Sequence, residues 1–161
     1  MQNYESAVTA AAGLLPRPLA VCGWSMGGLA AMMAAGRVEP DALVLLEPSP
    51  PGEVQGLDGT VPLEAGTFDG EDLYGRFPDG IRSRPESTLA RAERKRGIPV
   101  PSLPARTLVI SGRDFAEERG AAIAEFYGIE RLAFPDASHF DLVRDPVIRE
   151  QIANRLGRRT N

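Results

Sequence analysis

Three side chains in this sequence have the types that nucleophilic acyl chemistry requires. A serine lies between glycines in Gly23-Trp24-Ser25-Met26-Gly27, an aspartate ends Ser111-Gly112-Arg113-Asp114, and the only histidine stands in Ala137-Ser138-His139-Phe140. A free serine hydroxyl is a weak nucleophile and needs a neighbouring base. His139 is expected to take its proton and later return it to a leaving group. An acid must hold the imidazole in one tautomer and stabilise the imidazolium. Asp114 is the expected acid, and Glu47 is its rival. The alternative for Glu47 is a hydrogen-bonded residue that ties down the Pro-rich segment after it. Asp136 and Asp141 flank His139, but sequence neighbours seldom face the same way, so both are expected to serve the loop or a helix cap.

These residues need strands and helices to position them. Leu19–Gly23, Ala42–Leu46 and Thr107–Ile110 are short runs that read as buried strands, and Arg131–Phe134 reads as a shorter fourth strand. Helical spacing marks residues 3–15, with Val8, Ala11, Ala12 and Leu15 on one stripe. Further helices are expected over Met26–Ala35 (closed by Gly36), from about Pro85 to Arg96, over 116–127, and from Asp145 or Pro146 to Leu156. Pro48–Gly70, rich in proline and glycine, reads as loop. Strands that alternate with helices mean parallel βαβ units with helices on both faces. In such sheets reactive groups gather beyond the carboxyl ends of the strands, and Ser25, Glu47, Asp114 and His139 all follow strand ends.

The pattern G-x-S-x-G at a strand-to-helix turn places the serine in a strained conformation, with small residues expected two positions on either side. The helix start offers backbone N–H groups and a partial positive charge, so the Met26 N–H can donate to an oxyanion. The alternative is a tight glycine turn with an incidental serine. Trp24 and residues of the 48–80 loop are candidates for lining the acyl site, with core packing as the alternative for Trp24.

Composition narrows the classes. The chain has 161 residues, 43% hydrophobic and 25% charged, with a net charge of −4. That suits one globular domain spanning 1–161. No basic field exists to hold nucleic acid. One cysteine and one histidine exclude an internal disulfide, a zinc cluster and a multi-histidine metal site. No signal-peptide pattern and no long apolar stretch is present, so a cytoplasmic protein without membrane contact is expected. The basic run Arg91, Arg94, Lys95 and Arg96 reads as a solvated helix face. Its sharper alternative is attraction of an anionic substrate or acidic carrier protein.

With these motifs in hand, the sequence resembles the C-terminal half of an α/β-hydrolase. Gly23-Trp24-Ser25-Met26-Gly27-Gly28, the strand ending Gly112-Arg113-Asp114, and Ala137-Ser138-His139-Phe140 carry the resemblance, with the nucleophile, acid and base in the family's chain order. The resemblance covers residues 19–36, 42–52, 99–115 and 131–156. It implies a truncated parallel sheet of about four strands with flanking helices. It also implies a short lid- or cap-like insert over 53–98, and a serine hydrolase acting on a small-molecule carboxylic ester or thioester without metal or organic cofactor. Some members carry the acid at the strand end where Glu47 stands. A serine nucleophile excludes the branches that use aspartate.

The sequence departs from the family in lacking the earlier strands and the loop that supplies a second oxyanion N–H. Losing one such donor costs roughly 10²–10³ in turnover. The chain could be a naturally short hydrolase, a subunit of a larger assembly or a truncated product. A catalytically weak remnant that binds a partner, and an acyltransferase with the same triad, are the alternative functions. The missing strands would leave the first strand, with Cys22, as a bare edge. A homodimer or a partner chain is expected to cover it.

Overall fold

Two stretches of the chain are buried at every position: Ala42–Leu46, wholly apolar, and Thr107–Ser111, with three apolar residues between a buried threonine and a buried serine. Uninterrupted burial is what a strand covered on both faces requires. The computed structural model describes residues 1–57, 66–74, 76–80 and 86–157. In chain order its elements are α1 (Gln2–Ala12), β1 (Ala20–Trp24), α2 (Met26–Val38), β2 (Ala42–Leu46), α3 (Gly52–Gln55), β3 (Thr67–Phe68), α4 (Gly70–Tyr74), β4 (Glu86–Ser87), α5 (Thr88–Arg96) and β5 (Thr107–Ser111). A π-helical turn (Ala116–Ala121), α6 (Ala122–Tyr127), β6 (Glu130–Ala133), α7 (Asp141–Arg144) and α8 (Pro146–Gly157) follow.

The chain divides into two compact units, Gln2–Pro50 with Val100–Asn161, and Met1 with Pro51–Pro99. The larger unit is an α/β fold around a four-stranded sheet in the order β1-β2-β5-β6. Every pairing in it is parallel, with Val21 opposite Leu43, Leu45 opposite Val109, and Val109 opposite Arg131. Side chains alternate across a strand. Val44, Leu46, Leu108 and Ile110 therefore share one face, where they form a core with Leu142 of α7 and Ile148 of α8. Val21 packs on the other face with Leu19 and with Ala34 and Val38 of α2, joined by Val8 and Ala12 of α1. The parallel sheet and its flanking helices thus match the expectation.

Several boundaries differ from the sequence reading. α1 stops at Ala12, and of its expected stripe Val8 and Ala12 pack while Ala11 is exposed and Leu15 lies past the helix, 56% exposed. Gly36 does not close α2, which runs on to Val38. Glu39 makes the C-terminal turn at φ 47°, donating its N–H to the Ala35 carbonyl, and the Arg17 guanidinium donates to the carbonyls of Val38 and Glu39. Orphan carbonyls at a helix end need such partners, and a cation there also suits the helix dipole. β6 begins one residue earlier than expected, at Glu130.

The Pro48–Gly70 segment is not loop throughout, since it holds α3 and β3. Gly52 is there for close approach. Its N–H donates to the Ile98 carbonyl at 2.8 Å, and a Cβ on it would fall 2.9 Å from the Gly97 Cα. β3 pairs with β4 in an antiparallel ladder, Thr67 opposite Ser87. α5 begins at Thr88, where the Ser87 hydroxyl accepts from the Ala90 N–H. Pro85, the expected helix start, lies outside the described residues, as do 58–65, 75 and 81–84 of the expected insert. The 116–127 helix opens as a π-turn, where a Cβ on Gly120 would meet the Ser111 Cβ at 2.6 Å. Among the described residues no helix is long and apolar enough to cross a membrane.

Candidate functional site

The site begins where β1 turns into α2. Ser25 takes φ 53° and ψ −124°, a region that side chains other than glycine rarely enter. The surrounding backbone holds it there. The Ser25 N–H donates to the Leu46 carbonyl at 3.0 Å, and its own carbonyl accepts from Gly28 and Ser49 at 3.0 and 2.9 Å. The Ser25 hydroxyl makes no capping hydrogen bond to α2.

The expected need for small residues two positions on either side is half right. A Cβ on Gly23 would lie 2.6 Å from the Gly27 carbonyl oxygen, so Gly23 is required. A Cβ on Gly27 would meet nothing within 4 Å, whereas one on Gly28 would lie 2.5 Å from the Pro48 Cβ. The crowded position is therefore three residues after the serine. There the start of α2 rests on the chain leaving β2.

Glu47 is the first residue past β2, and β2 lies between β1 and β5 in the sheet. Its N–H donates to the Ile110 carbonyl at 2.9 Å, and its backbone then turns through φ 38°. That turn accompanies a carboxylate with no solvent exposure. A buried carboxylate must have its oxygens satisfied. Oε1 accepts the Gly112 N–H at 2.7 Å, and Oε2 lies 2.6 Å from His139 Nδ1. Gly112 is fitted to this junction, since a Cβ on it would overlap the Ala137 carbonyl at 2.4 Å.

Asp114, expected to orient the imidazole, does something else. Its Oδ2 accepts the backbone N–H of His139 at 2.7 Å, and its Oδ1 pairs with Arg113 Nε at 3.4 Å. The correction has a physical reason. Asp114 stands beyond Gly112 with a partly exposed side chain, and it reaches the main chain of the histidine loop from outside. Glu47 rises from the middle of the sheet beneath the ring. One carboxylate holds the ring of His139 and the other holds its backbone.

In a neutral imidazole, an Nδ1–H donated to Glu47 leaves the lone pair on Nε2. The ring is 11% exposed. Trp24 packs against it, ring centroids 4.7 Å apart and planes tilted by 31°, and Phe115 meets it edge-on at 5.1 Å and 84°. The Trp24 Nε1–H donates to the His139 carbonyl at 3.0 Å. Trp24, expected to line an acyl site, thus packs against His139, and it also contacts Phe140. Phe115 was missed by sequence reasoning. Its only signal was adjacency to Asp114, and a ring contact cannot be read from adjacency.

The loop bearing His139 is tied locally. Asp141 Oδ2 accepts from the Ser138 hydroxyl at 2.6 Å and from the Ser138 N–H at 2.8 Å. These two bonds, the hydroxyl's first, hold the Asp141 carboxyl below its ordinary range. Asp141 is therefore a loop and cap residue, as expected. Asp136 contributes its carbonyl to Arg113.

The structure thus gathers Trp24, Glu47, Asp114, Phe115 and His139. Ser25 is linked to them through the backbone alone, as the peptide neighbour of Trp24 and by its N–H bond to the carbonyl of Leu46, the residue before Glu47. Met26 is the first residue of α2, at the positive end of the helix. Among the described residues no group of three or more His, Cys, Asp or Glu side chains could hold a metal. Residues 48–80, also expected to contribute to acyl binding, include 58–65 and 75, which lie outside the described residues. Compared with known proteins, the sequence matches no protein-family model and no curated protein.

Proposed function

We propose that this protein is a serine hydrolase of the α/β-hydrolase type that cleaves a carboxylic ester or thioester, with Glu47 in the role expected of Asp114. The observation that carries the reading is the buried Glu47–His139 hydrogen bond at 2.6 Å, beside a serine held at positive φ on the adjoining strand end.

In this reading the Ser25 Oγ attacks the acyl carbon while His139 Nε2 takes its proton. The tetrahedral oxyanion is met by the Met26 N–H at the start of α2. On collapse the alcohol or thiol leaves with the proton from His139, and the acyl group stays on Ser25. Water then attacks the acyl-enzyme and gives its proton to His139. The carboxylic acid departs and the proton returns to Ser25. Glu47 keeps the imidazole in the Nδ1–H tautomer and stabilises the imidazolium in both halves. An alcohol or amine in place of water would make the same machinery an acyltransferase.

The test is labelling with a fluorophosphonate probe, read by intact mass and peptide mapping. We expect one adduct, on Ser25, absent in Ser25→Ala and much slower in His139→Ala. A folded wild-type protein that takes no adduct would overturn the reading, and would favour a binding remnant.

A further inference from the structure

A base held by one hydrogen bond is only partly positioned. The Nδ1–Oε2 contact to Glu47 fixes one ring atom of His139, so the orientation of the ring about that contact must be set by other neighbours. Rings of Trp24, Phe115 and Phe140 meet the imidazole, and Asp114 and Trp24 bond the His139 main chain; Trp24 alone does both.

The indole lies against the imidazole at 4.7 Å between centroids, while Phe115 blocks the ring with an edge at 5.1 Å. The same indole donates Nε1–H to the carbonyl of His139 itself at 3.0 Å. Trp24 therefore touches both the ring and the main chain of one residue. Trp24 is also the last residue of β1, one peptide bond before Ser25, and Gly23 before it is packed too tightly against the start of α2 to accept a Cβ. Trp24 and the turn that holds Ser25 are built as one piece.

We propose that Trp24 is a positioning residue, a strut that sets the ring plane of His139 relative to Ser25 by stacking and by its Nε1–H bond. This deepens the proposed function and rests on it for its effect on rate, though not for its effect on the ring. The geometry sets two separable contributions. The indole face limits ring rotation, and the Nε1–H bond limits displacement of the 139 backbone. The face of an aromatic ring also favours an adjacent cation, so the stack suits the imidazolium that forms during the reaction.

The chain has one tryptophan and one histidine, so each can be observed without overlap. The variants are Trp24→Phe, which keeps a ring and loses the N–H, and Trp24→Leu, which loses both. They are compared with wild type by fluorophosphonate inactivation rate, by kcat and KM on 4-nitrophenyl acetate, and by ¹⁵N NMR of the imidazole.

We expect Trp24→Leu to lower the inactivation rate and kcat by about 10²-fold with little change in KM, the scale of a small misplacement of a reacting group. Trp24→Phe should fall between it and wild type. In both, the imidazole ¹⁵N shifts should move toward a mixture of the two tautomers. Wild-type rates together with unchanged imidazole shifts in both variants would overturn the proposal. So would a higher KM with unchanged kcat, since that would make Trp24 a substrate contact. If wild-type Ser25 takes no adduct, the hydrolase reading fails on its own. The imidazole shifts then decide whether Trp24 positions the ring, unchanged shifts overturning it. Trp24→Phe keeps the test falsifiable should Trp24→Leu fail to fold.

Discussion

Glu47 and His139 are 92 residues apart in sequence and 2.6 Å apart in the fold, with the carboxylate wholly buried beneath the imidazole. The second Glu47 oxygen is taken up by the Gly112 N–H, so the pair is closed on the protein side. The carboxylate cannot turn away without leaving a buried amide or a buried imidazole nitrogen unpaired.

This arrangement separates the two acids. Glu47→Gln should reduce turnover of an activated ester by roughly 10⁴-fold, the scale seen when a triad acid becomes an amide. Asp114→Asn removes the charge from a bond to the His139 main chain and should cost about tenfold or less. Steady-state kinetics of the two variants decide between them, and equal losses would return Asp114 to the ring-orienting role.

The crowding around Ser25 can be tested through stability. Gly28→Ala pushes a methyl into Pro48 and should destabilise the fold by about 1–3 kcal/mol. Gly27→Ala, inside α2 and facing open space, should be neutral or gain up to about 1 kcal/mol from helix preference. Urea denaturation of both variants measures this, and a reversed order would show that the turn is packed differently.

Asp141 predicts a pH dependence whose sign follows from its cause. Its hydrogen bonds from Ser138 lower the folded-state pKa below the unfolded one. The stabilisation is thus complete above the ordinary aspartate range, near pH 4, and is lost as pH falls through the lower folded value. Asp141→Asn should flatten that part of the acid limb while leaving the slope near neutrality unchanged. Unfolding curves taken from pH 7 down to pH 3 would show it.

The edge of the sheet carries the fourth prediction. The Leu19 carbonyl and the Ser25 N–H both bond toward the β2 side, to Asp41 and Leu46. Alternate residues of β1 thus direct their main-chain groups the other way, and Ala20 and Cys22 there are exposed. Among the described residues no strand pairs with this edge, and an unpaired edge favours strand pairing. We expect a dimer of two copies in sedimentation velocity at micromolar concentration, and a monomer for Cys22→Lys. A monomeric wild type would remove this expectation.

Much of this was legible in the sequence. β2 and β5 declared themselves by apolar runs, because a strand buried on both faces has no polar side to show. Ser25 and His139 stood out in the sequence by rare local contexts, a glycine-flanked turn and a lone histidine past a strand end, and the structure places both beyond the strand ends. Gly36 misled because helix closure was decided by a clamp from Arg17, far away in sequence. The short elements between Pro48 and Gly70 were missed because β3 exists only through its pairing with β4, and α3 only where Gly52 meets Gly97 and Ile98.

The sequence by itself determined an alternating α/β chain, the types of group available for chemistry, and the strand ends from which they emerge. Only the tertiary structure decided which carboxylate is hydrogen-bonded to the imidazole, that Trp24 packs on it, and that Gly28 rather than Gly27 is the crowded glycine. Those choices depend on the order β1-β2-β5-β6 and on the directions in which side chains leave the strand ends. Spacing along a chain specifies neither, because the neighbours that impose them are brought together only by packing.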